Sequence, residues 1–182
     1  KLIKKHKVVF ALTHNYSAYP MLREAKSIIE KGLIGKVMLF NVEYPQGYTV
    51  GISKKNESAI LKWRLDKKMC GPSMILAEIG THAYHLMRYV TDLEVKEVSA
   101  EVNSLSEEIS VDDNAFMIVR MNNQARGSIW VSSAATGGEN GLKIRVYGTK
   151  GAVEWLQDDP NNLKFTELNA ATKIITRASN SV

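Results

Sequence analysis

The sequence predicts an α+β fold, in which helices pack on one face of an open and mostly antiparallel β-sheet. Helical periodicity is confined to two segments in the first half of the chain, 17–31 and 73–90, whereas a run of strand patterns begins at Glu94. Short turns at Asn122-Asn123 and at 148–151 separate strands of that run, and turns this short join antiparallel neighbours. Helices followed by consecutive strands are typical of this fold class.

The first apolar run, Val8–Leu12, predicts a strand covered on both faces, as strands of parallel sheets are. No strand pattern precedes it, so we expect its partners upstream of residue 1. A helix is then predicted over Ser17–Lys31, with Pro20 in its first turn and Gly32 as its C-terminal stop. Its apolar residues recur at helical spacing: Met21, Leu22, Ala25, Ile28 and Ile29.

The segment Lys36–Tyr44 predicts a strand with one buried face, because its residues alternate in character. The alternation sets Met38, Phe40, Val42 and Tyr44 against Val37, Leu39, Asn41 and Glu43. The following segment, Pro45–Ala59, lacks clear periodicity and carries Gly47 and Gly51. It predicts a long loop, and long loops inside compact domains are often functional.

A second helix is predicted over Ser73–Val90. Its core side is an apolar stripe of Ile75, Ile79, Ala83, Leu86 and Val90. Glu78, His82 and His85 are spaced i, i+4 and i+7, so an α-helix places all three on a separate polar stripe. Gly80 lowers helix propensity by about 1 kcal/mol relative to alanine. A glycine at this position predicts the close approach of another backbone or of a ligand.

The remaining strands are predicted over 94–105, 114–121, 125–135, 142–147, 152–156 and 163–168. The last residues, 173–182, are polar and are expected to fray. We expect the sheet face that the helices leave uncovered to carry Trp130, Ile129 or Val131. An apolar face of this kind needs a partner, so we expect a homodimer or homotetramer formed through the open sheet face.

Composition limits the classes of function. Hydrophobic residues make up 45% of the chain, enough for a core, and the net charge of +5 comes from scattered lysines and arginines. We therefore expect no nucleic-acid partner. The single cysteine, Cys70, excludes an intrachain disulfide and zinc sites built on cysteine pairs. No apolar run approaches the ~20 residues that span a bilayer, so we expect no membrane partner and a cytoplasmic location.

The stripe of Glu78, His82 and His85 admits three interpretations. A carboxylate and two imidazoles on one face can exchange protons near neutral pH. They can equally form an ordinary surface on which Glu78 pairs with His82. A metal site would need a third ligand, for which His14 is the only candidate, and nothing local holds His14. We therefore expect no metal.

Two further segments carry candidate site residues. Trp63 and Arg64 form either the wall and guanidinium of a polar pocket or a surface anchor paired with Asp66. Tyr16 follows the first strand, where open α/β sheets place ligands, or packs on the first helix. The glycine-rich segment 137–141 lies between two predicted strands and lacks the strand–loop–helix context of a dinucleotide site. We expect no cofactor-binding residue in this chain.

Five short motifs resemble, in order and spacing, those of the glucose–fructose oxidoreductase / inositol dehydrogenase family (Gfo/Idh/MocA). They are Thr13-His-Asn-Tyr-Ser-Ala-Tyr-Pro20, Ile34-Gly-Lys-Val37, Trp63-Arg64, Glu78-Ile-Gly-Thr-His82 and Val146-Tyr-Gly-Thr-Lys-Gly151. Each motif alone is weak, but together they cover nearly the whole chain. Tyr44-Pro-Gln46 and Asn140-Gly-Leu142 resemble a branch of predicted sugar dehydrogenases.

The resemblance implies an NAD(P)-dependent oxidoreductase that acts on a sugar or cyclic polyol and has an N-terminal Rossmann domain. It implies that residues 1–14 are the end of the last Rossmann strand and a linker. Residues 15–182 would be the α/β domain for substrate binding and oligomerisation, which in the family continues beyond this point. NAD or NADP would bind the full-length enzyme but not this fragment, which should be inactive alone.

The resemblance also assigns roles to site residues. His82 matches the family's proton acceptor, and Glu78 stands where an aspartate usually contacts the substrate hydroxyl and the histidine. His85 occupies the position of a polar substrate contact, and Arg64 and Trp63 match a pair at the pocket edge. The alternative is a non-catalytic binding or assembly module that kept the domain and lost the chemistry.

Overall fold

A computed structural model describes residues 1–52 and 62–177. Its centre is an eight-stranded sheet with the strand order β2-β3-β4-β1-β5-β6-β7-β8. β1 and β4 are parallel, and all other neighbours are antiparallel. The strands are β1 Val37–Pro45, β2 Val95–Asn103, β3 Asn114–Met121, β4 Arg126–Ser132, β5 Lys143–Gly148, β6 Gly151–Leu156, β7 Asn162–Glu167 and β8 Lys173–Thr176. The predicted α+β class with an open, mostly antiparallel sheet is confirmed.

The helical segments are α1 Leu2–His6, a 3₁₀ turn Asn15–Ala18, α2 Pro20–Glu30, a π-helical turn Leu76–Gly80 and α3 Thr81–Thr91. α2 begins three residues later than predicted. The residue before a proline is pushed away from the helical region, and Tyr19 is extended, with φ −62° and ψ 130°. Gly32 ends the helix as predicted, with a φ of +71°.

The core lies between one face of the sheet and the helices. β1 buries Phe40, Val42 and Tyr44 as predicted, but at its start Val37 is buried and Met38 is exposed. The pairing of β1 with β5 shifts register between Val37 and Leu39, and this irregularity exchanges the two faces. The predicted apolar stripe of the second helix, Ile75, Ile79, Ala83, Leu86 and Val90, is fully buried.

The opposite sheet face is uncovered in the described chain. Trp130 lies on it and stacks on Phe116 from β3, with ring centroids 5.7 Å apart. Of the three candidate residues this face carries Trp130, because side chains alternate along a strand and Ile129 and Val131 are both buried on the helix side. Beside these apolar rings, Arg145 contacts Glu43 and Glu154 on neighbouring strands.

Both chain ends differ from the predicted elements, although the expected place of Val8–Leu12 in an upstream sheet stays a prediction. Val8–Leu12 forms no strand and stays exposed, with Val9 98% accessible, because no strand of this sheet pairs with it. Residues 173–176 do not fray but form β8, which pairs with β7 and packs the half-buried Ile175 against the core. Residues 53–59 of the predicted loop and 178–182 of the tail lie outside the described residues.

Candidate active site

His82 lies in the first turn of α3 and faces the segment that precedes α2. The ring of Tyr16 contacts it edge-on, with centroids 5.2 Å apart and planes at 90°, and His14 contacts it at 5.6 Å and 80°. His14 in turn stacks on His85, at 4.2 Å and 9°. The fold therefore brings together three of the predicted site residues, and it adds His14 to them.

The environment favours the neutral form of two of these imidazoles, those of His82 and His85. Burial lowers the pKa of His82, the neighbouring His14 lowers it further, and Glu78 opposes both effects. Burial, followed by His14 and His82, also lowers the pKa of His85. The Nδ1 atoms of His82 and His14 are buried and have no hydrogen-bond partner among the described residues. A neutral imidazole with an uncommitted nitrogen can accept a proton.

Glu78 is held by residues other than His82. Its Oε1 lies 2.6 Å from the Nε of Arg64, and its Oε2 accepts a hydrogen bond from the Tyr48 hydroxyl. Burial, followed by this carboxylate, raises the pKa of Tyr48, which keeps the hydroxyl a donor. The interpretation in which Glu78 pairs with His82 on an ordinary surface is therefore wrong.

The predicted second helix begins with a π-helical turn. Glu78 lies within this turn, Leu76–Gly80, which is wider than an α-turn. The nearest atoms to an added Cβ at Gly80 belong to Leu76 and Ile75 of the same helical segment, so the expected close approach of another backbone is not found there. The expected approach of a ligand stays a prediction.

Arg64 and Trp63 lie together at the edge of this cluster. The guanidinium carbon of Arg64 is 5.1 Å from the centroid of the Trp63 ring, and Trp63 is 48% exposed. The alternative ion pair between Arg64 and Asp66 does not form, because Asp66 instead accepts a hydrogen bond from the backbone N–H of Lys68. Tryptophan stacking and the Glu78 carboxylate together fix the guanidinium.

The polar residues that surround Tyr16 were not among the predicted site residues. The hydroxyl groups of Tyr16 and Tyr44 are hydrogen-bonded, and Tyr44 donates to Asn140 Oδ1 at 2.6 Å. Gln46 Nε2 donates to the same oxygen at 2.8 Å. One signal was available: a tyrosine on the buried face of a strand needs a partner for its hydroxyl. The partner, Asn140, lies in the glycine-rich segment 137–141, where the sequence predicted a loop and no contact with Tyr44.

Two negative observations apply to the described residues only. Among residues 1–52 and 62–177, no group of three or more His, Cys, Asp or Glu side chains is placed to hold a metal ion. Within the same ranges, no helix is both long enough and apolar enough to cross a membrane.

Comparisons with known proteins match this fold and these motifs. The family model of the GFO/IDH/MocA C-terminal domain matches residues 22–154. The uncharacterized oxidoreductase YfiI of Bacillus subtilis is 31% identical over 164 residues, which are 89% of this chain and 42% of that protein.

Solved structures agree with the sequence comparisons. The crystal structure of an oxidoreductase from Sinorhizobium meliloti superposes with a TM-score of 0.80 and 39% identity, covering 95% of this chain and 44% of that one. A levoglucosan dehydrogenase in complex with NADH and levoglucosan gives a TM-score of 0.80 and 25% identity, covering 92% and 47%. The chain therefore spans less than half the length of these relatives.

Proposed function

The chain belongs to the GFO/IDH/MocA family, as its C-terminal domain, and we propose that it is the substrate-binding and oligomerisation domain of an NAD(P)-dependent oxidoreductase. The substrate would be a hydroxyl group of a sugar or cyclic polyol. The observation that carries this proposal is His82, a half-buried imidazole with a lowered pKa that lies among the rings of His14 and Tyr16. The relative that binds NADH and levoglucosan supports the substrate class and the cofactor.

In this proposal His82 takes the proton of the hydroxyl that is oxidised. The nicotinamide, when bound, would accept the hydride from the same carbon. The glycine-rich segment 137–141 joins strands β4 and β5 and so does not fit a dinucleotide phosphate, which is bound where a strand leads into a helix. We therefore assign the cofactor to a separate domain.

The other site residues would bind and orient the substrate. The Glu78 carboxylate is fixed by Arg64 and Tyr48, so it can accept a hydrogen bond from a second hydroxyl without rearranging. Trp63 offers an exposed ring beside it, of the kind that packs on the apolar face of a sugar. His85 is held by its stack with His14 and supplies a further polar edge.

We assign residues 1–14 to the end of a dinucleotide-binding domain and a linker, and residues 15–182 to the substrate domain. The exposure of the apolar run Val8–Leu12 supports this division, because such a run is stable only when a sheet covers it. The open face of the present sheet would mediate oligomerisation, and its stacked Phe116 and Trp130 support that role.

Turnover by the full-length protein tests the proposed function. NAD(P)H should form when the protein is given NAD or NADP together with sugars and cyclic polyols, levoglucosan among them. Replacing His82 by alanine should abolish most of this activity. If the full-length protein binds a sugar but oxidises no member of the panel, the alternative of a non-catalytic binding module holds. The absence of a hydrogen bond between Glu78 and His82 is the observation that favours that alternative.

A further inference from the structure

The orientation of His82 is unusual for a histidine base. Such imidazoles are commonly oriented by a hydrogen bond from the second ring nitrogen to a carboxylate or carbonyl. Within the part of the chain that the structure describes, His82 makes ring contacts but no hydrogen bond, and its Nδ1 is buried. Its orientation must therefore come from the rings that pack against it, and Tyr16 makes the closer of the two edge contacts.

The hydroxyl of Tyr16 begins a directed chain of hydrogen bonds. Tyr44 has one hydroxyl proton, and it donates that proton to Asn140 Oδ1. The hydrogen bond between the two tyrosine hydroxyls must then have Tyr16 as donor and Tyr44 as acceptor. Both tyrosines are buried, so neither hydroxyl has water as an alternative partner.

The end of this chain lies on the glycine-rich loop between β4 and β5. Asn140 Oδ1 also accepts a hydrogen bond from Gln46, so the amide is fixed from two sides. The loop can close on β1 because Gly138 has no side chain: a Cβ there would lie 3.1 Å from the carbonyl oxygen of Pro45. The backbone N–H of Gly141 adds a hydrogen bond to the same carbonyl, at 3.3 Å.

From this geometry we infer that Asn140 and Tyr44 are positioning residues, which act through Tyr16 to hold the imidazole of His82. The inference rests on the proposed function, in which His82 is the base. It changes the role of Tyr16 as well, because a hydroxyl whose proton is committed to Tyr44 is not a donor to substrate. Tyr16 is thus the last member of the positioning chain.

The test is a nuclear magnetic resonance experiment on the present chain. Two variants, Tyr44→Phe and Asn140→Ala, break the chain at different links, and Tyr147→Phe on the open sheet face is the control. In the wild-type chain and the control we expect a nuclear Overhauser effect between the rings of Tyr16 and His82, whose centroids are 5.2 Å apart. Both variants should lose it, and the pKa of His82 should shift upward toward its ordinary value as water reaches the ring. His14 and Glu78, the titratable neighbours of His82, are unchanged in every variant.

If Tyr44 and Asn140 only stabilised the fold, replacing them would not change the pKa of His82 in a chain that stays folded. An unchanged ring contact and pKa in both variants would overturn the inference, whether or not the full-length protein is an oxidoreductase. Asn140→Ala removes a half-buried loop side chain outside the core, so it keeps the test decisive even if Tyr44→Phe unfolds the chain. In the full-length enzyme both variants should lower kcat by roughly 10- to 10²-fold with little change in KM, as expected for a misplaced base.

Discussion

Burial and neighbouring side chains together determine the pKa of His82. An imidazole removed from water resists protonation, and His14 beside it adds to that resistance. The Glu78 carboxylate would favour the charged form, but Arg64 and Tyr48 hold it in contacts of their own. The result is a base that is free of its proton at neutral pH, which is the state needed to accept one from a hydroxyl.

The same lowered pKa values predict how stability depends on pH. The folded chain resists protonation at His82 and His85, whereas the unfolded chain protonates both near pH 6.5. Between the folded pKa and 6.5 the unfolded state binds more protons, so the free energy of unfolding should fall as pH decreases through this window. Urea unfolding at about pH 7.5 and about pH 5.5 measures the difference.

A histidine variant identifies the source of this dependence. The double variant His82→Gln, His85→Gln should flatten the profile, whereas His6→Gln, in the exposed helix α1, should leave it unchanged. An equally steep profile in the double variant would show that other groups cause the dependence.

The helices and strands could largely be predicted from the sequence, whereas the geometry of the site could not. Alternation and helical periodicity identified β1 to β7, α2 and the core side of α3, because burial of one face enforces these patterns. The π-helical turn left no periodic signal, since one wide turn changes the register of only a few residues. The contacts of Tyr48 and Asn140 join segments far apart in sequence, so no local pattern reports them.

Gly127 allows β1 and β4 to pack side by side. In the parallel register it lies opposite Phe40, and an added Cβ would come within 2.3 Å of the Phe40 ring. Gly127→Ala should therefore lower the free energy of unfolding by about 1–3 kcal/mol, because the buried ring must shift. Urea unfolding measures this loss.

The matched control is Gly80→Ala, at an ordinary helical φ of −60° where the nearest atom is the flexible end of Leu76. It should cost nothing and should even stabilise the chain, because alanine has the higher helix propensity. Equal stability of the Gly127→Ala variant and the wild type would refute the packing argument.

For the whole molecule, the open sheet face is an apolar surface that no helix covers in the described chain. Phe116, Ile118 and Trp130 form an apolar patch on β3 and β4, and the ion pairs of Arg145 lie beside it on β1, β5 and β6. An exposed apolar patch with charged residues beside it is typical of a protein interface. We expect a homodimer or homotetramer that is formed through this face.

Ile118→Glu should dissociate that oligomer, because it places a charge within the apolar patch of this face. Ile174→Glu makes the same change at a similarly exposed isoleucine on the edge strand β8, 63% accessible against 69%, and should leave the oligomer intact. Light scattering with size-exclusion chromatography distinguishes the two variants. A wild-type chain that stays monomeric at high concentration would contradict the role of this face.

The role of His82 as proton acceptor is tested most directly by the turnover of the full-length protein with and without the His82 imidazole. If His82 is the proton acceptor, His82→Ala should lower kcat by roughly 10²–10⁴-fold on any sugar or polyol that the wild type oxidises. The same substitution at His6, which is exposed in α1, should leave kcat unchanged. Turnover in the His82→Ala variant that equals the wild type would remove His82 from the mechanism.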